Sequence, residues 1–245
     1  MEILEHFYVK VIVPIEVFGI DISITNLTVA LIGAAVLFLA FFVLLALRPK
    51  IIPGKGQVAI EMLVNFIKRN IVYNMIGKKE GDRWFPLIGG IFIFVLSCSL
   101  IGIVPGLYTP TANPIVNITL AAVVFLTVQI SCIVKTGIRG FIRSFAPKAV
   151  PSWMYVIVVP IEIISAIAKP FSLFVRLAAN MLAGLTIIYV ILGLILYFES
   201  YLIAVAAYPF AIVMTLFKIF VAAIQAYIFA VLSALYIGEA VKPKH

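Results

Sequence analysis

The stretch PIEIISAIAKPFSLFVRLAANMLAG, Pro160 to Gly184, is apolar enough to enter a membrane yet carries three charges, Glu162, Lys169 and Arg176. A charged side chain at the bilayer centre costs about 2.5–3.5 kcal/mol on insertion scales, so three in one segment require a reason. Their order supplies one. Glu162, Ser165, Lys169, Ser172, Arg176 and Asn180 follow one another at steps of 3, 4, 3, 4 and 4, which places them along one stripe of an α-helix. The opposite side is Ile, Leu, Val and Phe. The polar atoms are therefore expected to face protein or water, and the apolar side lipid. At ~1.5 Å per residue the stripe is about 27 Å long, close to the hydrocarbon thickness of about 30 Å. That is long enough for an ion route if the helix stands upright, or for a contact line with a partner if it is tilted. Pro170 cannot donate to the helix ladder and is expected to bend the helix beside Lys169.

The three charges differ in what can neutralise them. Glu162 and Lys169 share a face seven residues apart and are candidates to pair with each other. Arg176 stays charged under any reachable condition. Of the acids near the two terminal apolar runs, Glu199 falls at a turn and Glu239 at the far end, so none stands at the depth of Arg176. A buried cation without a counterion points to an anion supplied from elsewhere. The small residues Ala178, Ala179, Ala183 and Gly184 follow it and let another helix approach closely. In the last run, Tyr201 to Ile237, Lys218 and Gln225 share a face seven residues apart. Gln225, among Ala222, Ala223 and Ala226, is a cross-helix partner for Arg176 or Asn180, or simply interhelical glue.

Working outward, the whole chain is built for a membrane. Of its 245 residues 64% are hydrophobic and 11% charged, against roughly 45–50% and 25% in soluble domains. This excludes a soluble enzyme. The net charge of +8 does not argue for nucleic acid, because the cations cluster between apolar runs, as in membrane proteins. Cys98 and Cys132 both lie in apolar runs, and the two histidines, His6 and His245, sit near the ends. No disulfide framework, metal site, cofactor motif or catalytic triad is expected. Glu2 and Glu5 occupy the place of a positive signal-peptide n-region, so no secretory signal is expected.

Six stretches follow the outer N-terminal segment, 1–24, within a single transmembrane domain, 1–245. Residues 25–47 form a first span, closed by Arg48, Pro49 and Lys50. Residues 86–104 and 115–134 form a helical hairpin around the uncharged turn Pro105–Pro114, 151–198 the Arg176-bearing helix, and 201–238 the C-terminal helix. Residues 57–76 differ. Gln57, Glu61, Asn65, Lys68 and Arg69 recur at helical steps, with Ile60, Leu63, Val64, Ile67 and Ile71 on the other side. This reads as an amphipathic helix lying in the membrane surface, with no soluble-domain neighbours to pack against. The fold class is thus an all-α integral membrane protein of five crossings plus one surface helix. With the N-terminus outside, 14 of the 18 Lys and Arg residues fall on inner segments and only Lys10 outside, with Lys169, Arg176 and Lys218 at membrane depth. That split favours N-outside, C-inside. The chain has no internal repeat, which counts against a repeat-built transporter.

The segment VRLAANMLAG with PIEIISAIAKPFS upstream, and KIFVAAIQAYIFAVLSALYI near the end, resemble subunit a of the F-type ATP synthase, its alphaproteobacterial and mitochondrial members in particular. The likeness extends to RPKIIPGKGQVAIEMLVNFI after the first span, and to IGIVPGLYTPT and VNITLA in the hairpin. It covers nearly all of the chain after the first 20 or so residues. The resemblance implies a stator beside a rotating ring of c subunits, each with one membrane carboxylate, and peripheral-stalk b-type subunits and other ATP synthase subunits as further partners. The membrane would be a bacterial or mitochondrial inner membrane. The last two helices, strongly tilted, would form the hairpin facing the rotor. Two aqueous half-channels would load and unload the carboxylates, with the essential arginine, matched by Arg176, between them. Asn180, Gln225 and Glu162 match positions that line or support the half-channels. Ser172 matches a small polar neighbour of the arginine, and Lys169 stands beside them as a supporting position.

Two positions depart from the family pattern. Leu185 follows NMLAG where relatives have His or Glu, and Lys218 stands seven residues before Gln225 where relatives have Glu or His. The usual titratable pair is thus an apolar group and a cation. Lys218 is left to titrate itself, or to pair with Glu162 or a ring carboxylate. The coupling ion, H+ or Na+, stays open, as do a degenerate structural stator and a secondary transporter binding an anion at Arg176.

Overall fold

The computed structural model describes residues 9–17, 20–21, 23–46, 54–104, 107–144, 154–198 and 201–241. Glu2, Glu5, His6, Leu47, Arg48, Pro49, Lys50, Pro105, Lys148, Glu199, Lys242, Lys244 and His245 lie outside them. The helices are α1 (Asn26–Ala46), α2 (Lys55–Phe66), α3 (Lys78–Ile101), α4 (Pro114–Ser144), α5 (Tyr155–Phe198) and α6 (Tyr201–Val241). All but α2 contain a segment long and apolar enough to cross a membrane, five among the described residues. The all-α membrane fold class is borne out. Ahead of α1 the chain forms two small antiparallel ribbons, β1 (Val11–Val13) with β4 (Ile24–Thr25) and β2 (Glu16–Val17) with β3 (Ile20–Asp21).

Helix starts follow from capping chemistry. The backbone N–H of Thr28 donates to Thr25 Oγ1 (3.2 Å) at the start of α1. At α4, Asn113 Oδ1 accepts from the backbone N–H of Ile115 (2.9 Å), with Pro114 in the first turn. Each satisfies a backbone donor that the first helical turn leaves open. Helix α5 runs through Pro160 and Pro170 without interruption. Helix α4 changes direction at Gly137, whose φ of 71° is open to glycine at little cost.

Contacts at the helix ends give an up-and-down order. Ala30 and Ala34 of α1 pack on Cys98 and Ile101 at the end of α3. At the opposite end the start of α3, the end of α4 and the end of α6 meet: Lys135 Nζ donates to Glu80 Oε1 (3.0 Å) and to the carbonyl of Val241 (2.9 Å). Helices α5 and α6 are antiparallel, because Lys169 early in α5 meets Glu239 late in α6 while Asn180 meets Gln225. The basic residues Lys78, Lys79, Arg83 and Lys135 therefore gather at one end of the bundle.

The core is packed by Ile67, Ile71, Ile88, Val95, Leu177 and Phe229, all at most 1% exposed. Ala222, Ala226, Ala230 and Ala234 form a fully buried row on α6 at steps of four, a row of small side chains that lets neighbouring helices close on it. Large apolar side chains on the outer faces of α1, α5 and α6 remain exposed, among them Val36, Ile164, Phe171, Val213 and Phe220, as a lipid-facing surface requires.

The structure adds to two sequence expectations. The amphipathic run also packs on the bundle. It continues from α2 as a π-helical segment, Ile67–Tyr73, whose Ile67, Ile71 and Val72 are buried in the main core. Gly238 of α6 is the contact that lets it dock, since a Cβ there would lie 2.8 Å from the Met75 carbonyl oxygen. The turn after α3 packs inward as well. Thr109, Pro110, Thr111, Ala112 and Asn113 are buried, with Pro110–Ala112 as a 3-10 turn. Being uncharged, it folds back into the bundle, and Thr109 Oγ1 and Asn117 Nδ2 donate to the carbonyls of Gly102 (3.2 Å) and Thr111 (2.7 Å).

Candidate functional site

The face of α5 that packs inward is apolar: Leu173, Leu177, Met181 and Leu185 recur at steps of four, all buried. The polar stripe runs along the edge of that face. Glu162, Ser165, Lys169 and Arg176 are partly buried, and Ser172 and Asn180 are exposed. The stripe is therefore not sealed within this chain, as a stripe facing only protein would be. Three leucines and Met181 fill the inner positions, where a charge would be desolvated at high cost, and the charges border them.

Asn180 Nδ2 donates to Gln225 Oε1 (2.7 Å), bridging α5 and α6. Of the two partners offered to Gln225 by the sequence, the structure takes Asn180. Gln225 is 1% exposed, and its Nε2 has no hydrogen-bond partner among the described residues. A buried donor left open costs about 1–3 kcal/mol, so this amide keeps hydrogen-bonding capacity that the described residues do not use. Arg176 lies one turn before Asn180. It forms no ion pair or hydrogen bond among the described residues. The antiparallel register explains why. Eleven residues of α5 from Lys169 to Asn180 span fourteen of α6 from Glu239 back to Gln225, so Arg176 falls near the level of Phe229 and Ala230. Both are fully buried and apolar.

Two pairings that the sequence offers are not the ones the structure makes. Lys169 does not pair with Glu162. Its Nζ lies 2.8 Å from Glu239 Oε2 and 5.2 Å from the centroid of the Tyr236 ring. Glu239, set aside in the sequence as a helix end, becomes a partner because it lies two seven-residue steps beyond Gln225, on the same α6 face. That spacing was the available signal. Glu162 has no ion pair or hydrogen bond among the described residues and lines a cavity of about 120 Å³ between α4, α5 and α6, together with Gln129, Lys169, Tyr236 and Glu239.

Nor does Lys218 pair with Glu162. It is 6% exposed, and its Nζ donates to the Gly102 carbonyl (2.7 Å). Gly102 caps the C-terminus of α3, where carbonyls lack helical partners and the helix dipole is negative. Gly184 packs against the lysine stem, a Cβ there falling 3.7 Å from Lys218 Cγ, so Lys218 sits at the level of Gly184. Glu162 is 22 residues away along α5, about 33 Å at ~1.5 Å per residue, and out of reach. Leu185, 8% exposed, is part of the buried face. Gly102 is the residue that sequence reasoning missed here. No motif marks it; only the fold brings Lys218 and Thr109 to its carbonyl.

Residues 26–238 match the model of the family described as ATP synthase A chain. The chain is 42% identical to ATP synthase subunit a of Magnetococcus marinus over 98% of its own length and 93% of that protein. It is 38% identical to ATP synthase subunit a of Myxococcus xanthus over 92% of its length and 75% of that protein.

Proposed function

The chain belongs to the ATP synthase A chain family, and on that premise we propose that it conducts protons between the two sides of the membrane and the carboxylates of a c-subunit ring, with Arg176 separating the two paths. It is an integral, multi-pass membrane subunit of the ATP synthase, not itself catalytic. The observation that carries the proposal is Arg176: a permanent cation at the edge of the α5–α6 hairpin, with no acid among the described residues beside it. A fixed positive charge favours the ionised form of a carboxylate brought to it, so a ring acid gives up its proton there. The same charge opposes a proton crossing directly from one path to the other. The open Nε2 of Gln225 supports the reading, as a donor waiting for an acceptor beside Asn180. Glu162 in its cavity serves the path at the basic end. By the distribution of basic residues that end is inside and the N-terminus outside.

The test is Arg176→Ala in the assembled ATP synthase, reconstituted in vesicles. ATP-driven ion pumping is lost while the complex still assembles. Coupled pumping that survives the substitution overturns the proposal. Pumping that follows sodium at fixed pH reassigns the ion as Na+.

A further inference from the structure

Lys169 stands between two carboxylates that line the same cavity, Glu162 on its own helix and Glu239 on α6. Glu162 and Lys169 are seven residues apart on one face of α5, a rise of about 10.5 Å. Helical side chains lean toward the N-terminus of their helix, so the lysine leans toward Glu162, and the gap closes when Glu162 turns back against that lean. The ammonium is instead drawn across the helix interface, to Glu239 Oε2 at 2.8 Å and the Tyr236 ring at 5.2 Å. Glu162 is left without an ion pair or hydrogen bond among the described residues.

We infer that Glu239 is a positioning residue: it holds the Lys169 ammonium off Glu162 and so leaves Glu162 free to take up and release protons in the cavity. This rests on the proton-path reading above. Its physical basis is competition between two carboxylates for one cation. A carboxylate at ion-pair distance from an ammonium is held in its charged form and stops accepting protons. Without the Glu239 charge, Lys169 turns to Glu162 and silences it. The inference differs from a simple helix clasp in one respect: a clasp is lost when either partner is removed, whereas here removing the lysine as well repairs the damage.

The experiment uses whole ATP synthase in vesicles and measures two things, proton flux and carbodiimide labelling of Glu162 read by peptide mass, since carbodiimide attacks protonated carboxyls. Glu239→Gln lowers both by about tenfold, the low end of what an opposite charge at ion-pair distance does to a carboxylate. The double variant Lys169→Gln/Glu239→Gln regains most of both. Parental flux and labelling in Glu239→Gln, or a double variant as impaired as the single one, overturns the inference. Should Glu239→Gln fail to assemble, Glu239→Asp keeps the charge and retains labelling at Glu162; its loss there also overturns the inference. Glu162→Gln separates the two claims. If it conducts as the parent does, the proton-path reading of Glu162 fails, and the inference with it. If it blocks flux while Glu239→Gln does not, the inference alone fails.

Discussion

Lys218 shows how a buried charge is accommodated by a backbone carbonyl instead of an acid. Its single hydrogen bond to the Gly102 carbonyl at 2.7 Å lies at the negative end of α3. A carboxylate in its place would face that carbonyl oxygen unpaired, so Lys218→Glu costs about 3–5 kcal/mol, as an uncompensated buried charge does. The check is the melting temperature and yield of the assembled complex. Lys218→Met removes the charge and the need to solvate it together, and is expected to assemble within about 1.5 kcal/mol of the parent, the cost of a swap that conserves volume. Gln225 makes a different prediction. Gln225→Leu gives up the Asn180 bond but also removes the orphaned amide donors, so stability changes by about 1 kcal/mol or less, while proton flux falls because the open donor is gone. Flux equal to the parent's would show that the amide serves packing alone.

At the scale of elements, glycines decide two contacts that no hydrophobic pattern announces. Gly238 brings α6 within 2.8 Å, for an added Cβ, of the Met75 carbonyl at the end of the π segment. Gly238→Val should push that segment away and expose Ile67, Ile71 and Val72, at about 1–3 kcal/mol, the usual cost of overpacking. Faster proteolysis after Lys68 or Arg69 is the readout. Gly137, at φ 71°, lets α4 turn with open space around its Cβ. Gly137→Ala therefore costs about 1 kcal/mol through the backbone and not through a clash; Gly137→Asn, better tolerated at positive φ, should recover part of it. The amphipathic run at 57–76 was legible as a helix from its period, but its burial was not. Whether Ile67 and Ile71 meet lipid or protein depends on packing against distant helices, with Gly238 among the contacts, and that leaves no periodic signature.

At the scale of the whole molecule, the alternation of α1, α3, α4, α5 and α6 puts the start of α1 and the end of α6 at opposite ends of the bundle. Cysteines introduced at Lys10 and at Lys79 should be labelled by a membrane-impermeant thiol reagent from opposite faces, Lys10 from the outside; labelling of both from one side would overturn the five-crossing topology. Much of this was written in local order. Five apolar runs, a polar stripe at steps of three and four, and an arginine with no acid at its depth can be read without coordinates, because helix period and hydrophobic length act over a few neighbouring residues. Pairing across helices cannot. Lys169 had Glu162 on offer and Lys218 had Glu162 among its candidates, and the choice fell to Glu239 and to a carbonyl because α5 and α6 run antiparallel in one particular register, and the uncharged turn after α3 folds inward. A register is the sum of many packing contacts between distant segments, so only the tertiary structure decides which partner stands at arm's length from a given charge.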